Sequence, residues 1–131
     1  MEGLSDEMAS AEAPAVTYRR YLENGTLGYQ RCADCSAAVF YPRVLCPFCG
    51  SGALEWRESA GRGTVYATTA LHSRRRDPRN VVLVDLDEGF RMMSRVEDVP
   101  AKEVEIGARV RFEVRKGENE AAVAVFVREG G

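Results

Sequence analysis

Tyr18, Tyr21 and Leu22 recur at i, i+3 and i+4, with Arg19, Arg20 and Glu23 between and after them and Asn24-Gly25 closing the run. This predicts a short amphipathic helix beginning near Thr17 and stopping at the Asn-Gly pair. A helix of that length is marginal alone, so its Tyr/Leu stripe must dock, either on its own domain or on a partner subunit. After Trp56 the helical period is gone. Residues 63–71 are β-formers, and 81–87 (VVLVDLD) form an apolar run. Residues 90–96 then follow the hairpin signal Asp87-Glu88-Gly89. Residues 109–115 alternate cleanly, Val110, Phe112 and Val114 facing in and Arg109, Arg111, Glu113 and Arg115 facing out. Residues 121–127 form a last strand beyond the loop 116–120. Five short strands with hairpin turns and one longer crossover through 98–107 suit a small closed Greek-key barrel of the OB type, with a five-stranded open sheet as the alternative.

All four cysteines fall in one window, as Cys32-Ala-Asp-Cys35 and Cys46-Pro-Phe-Cys49-Gly50. Each CxxC pair can form a knuckle whose thiolates face one centre, and Gly50 frees the chain to leave the second knuckle with amides near sulfur. Four sulfurs close a tetrahedral shell, so the expected role is structural. Zn2+ is the first choice and iron the rival, because S4 ligation alone does not discriminate. The segment 39–45 between the knuckles reads as a strand covering the sulfurs. Neither pair has the βαβ surroundings of a catalytic dithiol.

Composition narrows the function classes. The 131 residues, 45% hydrophobic and 29% charged, suit one compact domain with a core. No run approaches the roughly 18 apolar residues of a membrane span, and Glu2, Asp6 and Glu7 stand where a signal peptide wants cations. The expectation is a cytoplasmic protein without a membrane partner. A net charge of −2 removes the bulk positive field of nonspecific nucleic-acid binders.

The order of motifs carries a resemblance. A tyrosine-bearing helix leads into Gly28-Tyr29-Gln30-Arg31-Cys32, then Tyr41-Pro42-Arg43 before Cys46-Pro47-Phe48-Cys49. Trp56 follows, then Gly61-Arg62-Gly63-Thr64-Val65-Tyr66, Val84-Asp85-Leu86-Asp87-Glu88-Gly89 and Ile106-Gly107. Across residues 17–128 this resembles the DUF35 family, a rubredoxin-like zinc ribbon joined to an OB-fold. The resemblance implies a mainly β chain: a helical segment at 14–28, a zinc ribbon at 29–58 and a five-stranded OB-fold barrel at 59–131. Residues 1–13, with four acids, no base and no periodic order, are expected to form an acidic disordered tail. The resemblance further implies a non-catalytic accessory subunit of a thiolase-like enzyme, acyl-CoA hydratase or aldolase, in lipid, steroid or aromatic-acid metabolism. Where the family commonly shows a Pro-Tyr pair, this chain has Pro78-Arg79-Asn80.

Other residues invite chemistry. Arg74, Arg75, Arg76 and Arg79 place four cations in one interstrand loop, suited to coenzyme A phosphates or an acidic partner face, or simply to solvent. His72, the only histidine, has no nucleophile or carboxylate tied to it by a motif. Asp85, Asp87 and Glu88 read as turn residues rather than a metal or acid/base set, and Phe48 and Trp56 as packing around the knuckles. A single-stranded nucleic-acid module is the alternative function; it would need a basic groove and exposed stacking aromatics.

Overall fold

The computed structural model describes residues 13–74, 76–116 and 121–129. The predicted tail, apart from Ala13, and most of the loop 116–120 lie outside them. Helix α1 spans Pro14–Glu23 with Pro14 opening its first turn, where the missing amide costs nothing. It ends as predicted: the Asn24 side chain donates to the Arg20 carbonyl at 3.1 Å, and Gly25 takes φ +81°. Of the two docking surfaces expected for its stripe, its own chain is the one used. Leu22 is buried, Tyr21 stacks on Trp56 at 5.4 Å, and Tyr18 meets the edge of Phe40 at 5.4 Å.

A three-stranded antiparallel sheet follows, with β1 (Gly28–Cys32) between β2 (Ala38–Val39) and β3 (Leu54–Glu58). Gly28 is required where β1 passes under the helix, because a Cβ there would stand 2.7 Å from the Tyr21 ring. The second sheet comprises β4 (Arg62–Ser73), β5 (Arg76–Leu86), β6 (Arg91–Ser94), β7 (Val96–Glu97), β8 (Arg109–Arg115) and β9 (Val123–Arg128). Its order is β6-β5-β4-β8-β9-β7, with β7 parallel to β9 and the other pairs antiparallel. Because β6 and β7 are successive pieces of one strand separated by Arg95, this order returns on itself. The result is the closed five-stranded barrel, its third strand broken.

The break is bridged by a side chain. Asn80, buried on β5, donates to the Val96 carbonyl at 2.8 Å and accepts from the Val96 amide at 2.7 Å. One amide group thus supplies both halves of a missing ladder step, and no buried polar group is orphaned there.

Ribbon and barrel share one core. Leu27 and Tyr29, at the start of β1, pack with Val65, Val84, Val110 and Phe126 of the barrel. Tyr29 stacks on Phe90 at 4.8 Å, and Phe40, from beyond β2, stacks on the same ring at 5.1 Å. Stacked aromatics contribute beyond their buried area. Substituting Phe90→Ala removes the ring that both ribbon aromatics touch and is expected to cost about 3–5 kcal/mol. Equilibrium urea unfolding followed by Trp56 fluorescence measures this loss; a midpoint equal to that of the parent would show that the ribbon does not depend on the barrel.

Candidate metal centre and the arginine-bearing arm

The two CxxC pairs form matched turns. Cys32 ends β1, and the Ser36 amide donates to the Cys32 carbonyl at 2.9 Å; fourteen residues on, the Gly50 amide donates to the Cys46 carbonyl at 2.8 Å. The residue closing each turn is left-handed, φ +66° at Ser36 and +80° at Gly50. The second knuckle uses the residue that adopts this conformation freely, while the first holds a serine there, its carbonyl fixed by the Arg31 guanidinium at 2.8 Å. Amides approach the inner sulfurs, Cys35 N to Cys32 Sγ at 3.5 Å and Phe48 N to Cys46 Sγ at 3.4 Å.

All four Sγ atoms lie within 4.8 Å of one another, and the cysteines are free thiols. Across the knuckles, Cys32 meets Cys49 at 3.6 Å and Cys35 meets Cys46 at 3.7 Å. A tetrahedral centre with bonds of about 2.3 Å has sulfur edges of about 3.8 Å. The donor set therefore fits one tetrahedral ion with no open position. Without a cation the group resists full ionisation. The Cys35 amide, ahead of opposing burial, lowers the Cys32 thiol to about 7. At Cys49 the Ser51 amide lowers the pKa, but the Cys32 thiol and burial outweigh it and push the value up to about 12.

Two expectations about this region are corrected. Residues 39–45 do not form a covering strand: only Ala38–Val39 pair with β1. Pro42 has no amide for a ladder, and both main-chain groups of Arg43 are taken by the buried Gln30 side chain, at 2.7 and 2.9 Å. Val44 and Leu45 are exposed, and so are Cys35 and Cys49, leaving one side of the centre open to solvent. Phe48 and Trp56 do not pack around the knuckles either. The Phe48 ring is 71% exposed, and Trp56 lies under α1.

Turn residues on the barrel hold intramolecular positions. Asp85 pairs with Arg91 at 2.6 Å, and Asp87 takes two 2.8 Å bonds from Arg109. Glu88 does what sequence reasoning missed: it accepts from the Ser59 hydroxyl and the Ala60 amide, both at 2.7 Å, clamping the link between ribbon and barrel. Tyr41 was also missed; its hydroxyl accepts from the Met93 amide at 3.0 Å, tying the irregular segment to β6. His72 is exposed on β4, and its side chain has no hydrogen-bond partner among the described residues.

The arginine cluster is not held in a loop. β4 and β5 run on as a two-stranded arm, with Ser73 paired to Arg76 and Leu71 to Arg79. Arg74 lies in the tight turn, Arg76 and Arg79 on β5, and Arg75 outside the described residues. β4 and β5 stay paired beyond the reach of β6, from Val81 opposite Thr69 out to Arg76 opposite Ser73, so strands replace the loop. Arg57, Arg62, Arg91, Arg95, Arg109, Arg111 and Arg115 each have an acidic partner. Arg74 and Arg79 are exposed and have none among the described residues. Beside Arg79 lies a groove of about 310 Å³ lined by Leu71, Met93, Ser94, Val123 and Ala124 among others. No described helix is long and apolar enough to cross a membrane.

Comparison with known proteins agrees with this architecture. Residues 21–55 match the family described as ChsH2, rubredoxin-like zinc ribbon domain, and residues 56–115 the one described as ChsH2, C-terminal OB-fold domain. A protein named DUF35 domain-containing scaffold protein, from Methanothermobacter thermautotrophicus, is 28% identical over 84% of this chain and 87% of its own length. A probable enoyl-CoA hydratase alpha subunit from Thermomonospora curvata is 33% identical over 74% of this chain, which spans 32% of that protein. Among solved structures, a chain of the Ltp2-ChsH2(DUF35) aldolase is 28% identical, with a TM-score of 0.78 over 89% of this chain and 95% of that one.

The purified protein is expected to be colourless and to carry about one zinc per chain, read by metal analysis. Protons compete with metal for thiolates, so zinc release, followed with a chromogenic chelator, should rise as pH falls below neutrality. Release independent of pH, or a red iron chromophore in native-host protein, contradicts the assignment.

Proposed function

The chain belongs to the DUF35 family of zinc-ribbon/OB-fold proteins, and from that premise we infer that it is a non-catalytic accessory subunit docking on an enzyme of acyl-CoA metabolism. The observation carrying this reading is the full-length likeness to a chain solved as part of an aldolase, covering 95% of that chain. A thiolase-like enzyme, an aldolase or an acyl-CoA hydratase is the partner class, in lipid, steroid or aromatic-acid metabolism. The hydratase-named relative supports the last of these.

In this reading Cys32, Cys35, Cys46 and Cys49 hold one structural Zn2+, which fixes the ribbon and takes no part in turnover. The chemistry on the page supports a scaffold. The thiols face one another, and the His72 side chain is exposed and hydrogen-bonds to no acid or nucleophile among the described residues. Arg74, Arg75, Arg76 and Arg79 are assigned to anion contact, with coenzyme A phosphates or an acidic partner face as the target. A single-stranded nucleic-acid role finds less support. Of the barrel aromatics only Tyr66 is exposed, and Arg91 sits over its ring at 3.5 Å, where a base would stack. Cytoplasmic residence belongs to the same proposal.

Co-expression with a thiolase-like, aldolase or hydratase subunit from the same organism, followed by gel filtration, tests the reading. Co-elution and a rise in the enzyme's solubility or activity are expected. Separate elution with an enzyme fully active alone sinks it, as does acyl-CoA turnover by this chain in isolation. Changing the four arginines to Ala should leave thermal unfolding intact while weakening coenzyme A binding or docking about tenfold at low salt, and less at high salt. A quadruple variant that binds and docks like its parent returns the cluster to solvent.

A further inference from the structure

The barrel is closed by pairing everywhere except along one seam. β6 and β9 are neighbours in space but not in the ladder order; β5 holds β6 only as far as Val82 opposite Ser94, and β7 meets β9 only from Val96 opposite Phe126. Between these limits one side-chain bond crosses, from the Ser94 hydroxyl to the Ala124 carbonyl at 2.9 Å. The 310 Å³ groove lies along this seam.

Its lining combines two features. Leu71, Met93 and Val123 are 47%, 57% and 41% exposed, large apolar side chains gathered at one place on a small chain. Scattered exposed apolar residues are ordinary, but a group of them in a groove marks an interaction site. At the rim stands Arg79, exposed and, like Arg128 on β9, without an acidic partner among the described residues, whereas Arg91, Arg109 and Arg115 are ion-paired.

We propose that the seam groove receives an extended peptide segment of a protein partner, its apolar side chains seated on Leu71, Met93 and Val123 and a carboxylate on Arg79. The flanking strand edges favour a peptide over an acyl chain. Ala124 lies two residues from Phe126, whose amide bonds across the seam to Arg95, so its main-chain groups share that direction. The Ser94 hydroxyl holds the Ala124 carbonyl and the Tyr41 hydroxyl takes the Met93 amide, which leaves the Ala124 amide as the edge group facing the groove; an extended backbone can offer it a carbonyl, as in strand addition, and a hydrocarbon cannot. Charge sets the rest, since a guanidinium with no acidic partner among the described residues is suited to one from outside. The inference builds on the docking reading above but concerns which surface docks and what it takes.

The test uses the full chain as bait for a displayed library of random twelve-residue peptides. Enrichment of alternating apolar sequences with Asp or Glu is expected, with Met93→Asp lowering binding of the selected peptides at least tenfold. Arg79→Glu should shift enrichment toward Lys and Arg, a readout that loss of folding cannot produce; circular dichroism checks both variants. Peptides selected without acidic bias, or bound equally by both variants, overturn the proposal. So does a parent dimer that Met93→Asp dissociates, which would make a second copy the occupant, or decanoyl-CoA displaced from the groove by the same substitution while no peptide is enriched. Folded Met93→Asp and Arg79→Glu variants that still co-elute fully with the enzyme defeat the groove and leave the accessory reading standing. A parent that never co-elutes defeats that reading instead.

Discussion

Tyr29 and Cys32 stand three residues apart on one strand and belong to two different cores, and the rest of the molecule is arranged around that fact. Leu27, just ahead of β1, and Tyr29 within it enter the barrel interior, and the strand delivers Cys32 to the thiol cluster. Between them Gln30 holds the chain from 40 to 45 by both main-chain groups of Arg43. A strand alternates its side chains between two faces, so five residues reach two cores and a loop without further structure. The ribbon therefore cannot swing freely on the barrel. Its position is set by buried rings, and the Glu88 clamp on Ser59 and Ala60 closes the joint from the other side.

That arrangement assigns the metal a local task. The barrel already buries Val65, Val84, Val110 and Phe126 without help from the thiols, whereas the ribbon's own buried group is only Cys32, Val39 and Cys46, with Leu54 beside it. So few side chains supply little hydrophobic free energy, and small domains commonly replace a missing core with metal ligation. Solvent exposure of Cys35 and Cys49 is compatible with that role, because a closed four-sulfur shell needs geometry rather than darkness.

What was legible in the residues follows the range of the interactions. The helix stop at Asn24-Gly25 and the CxxC spacing are local rules and hold; the strand 109–115 forms where its alternation put it, although only Val110 is buried and the contrast between its faces fades from Phe112 onward. The segment 39–45 failed because its apolar content imitates a strand while Pro42 and the distant Gln30 decide otherwise. Phe48 and Trp56 failed because aromatic character fixes neither whether a ring packs nor on what: Phe48 is exposed and Trp56 lies under α1. The arginine cluster read as a loop because charge interrupts the apolar pattern, although β4 and β5 continue through it. Asn80 left no signal at all, since its role exists only once Val96 has been brought beside it.

Asn80 also explains why the seam exists. A third strand running unbroken from Arg91 to Glu97 would pair with β5 at one end and β9 at the other only by bending sharply, because the barrel turns its edge from one neighbour to the next. Interrupting the strand at Arg95 lets β6 stay with β5 and β7 move to β9, and the Asn80 amide repairs the step lost on β5. The repair is confined to Val96. Toward Met93 and Ala124 the two edges separate with a single hydroxyl bond between them, and it is there that exposed apolar side chains collect beside Arg79, a guanidinium with no acidic partner among the described residues. The device that closes the barrel thus leaves an apolar groove open beside it.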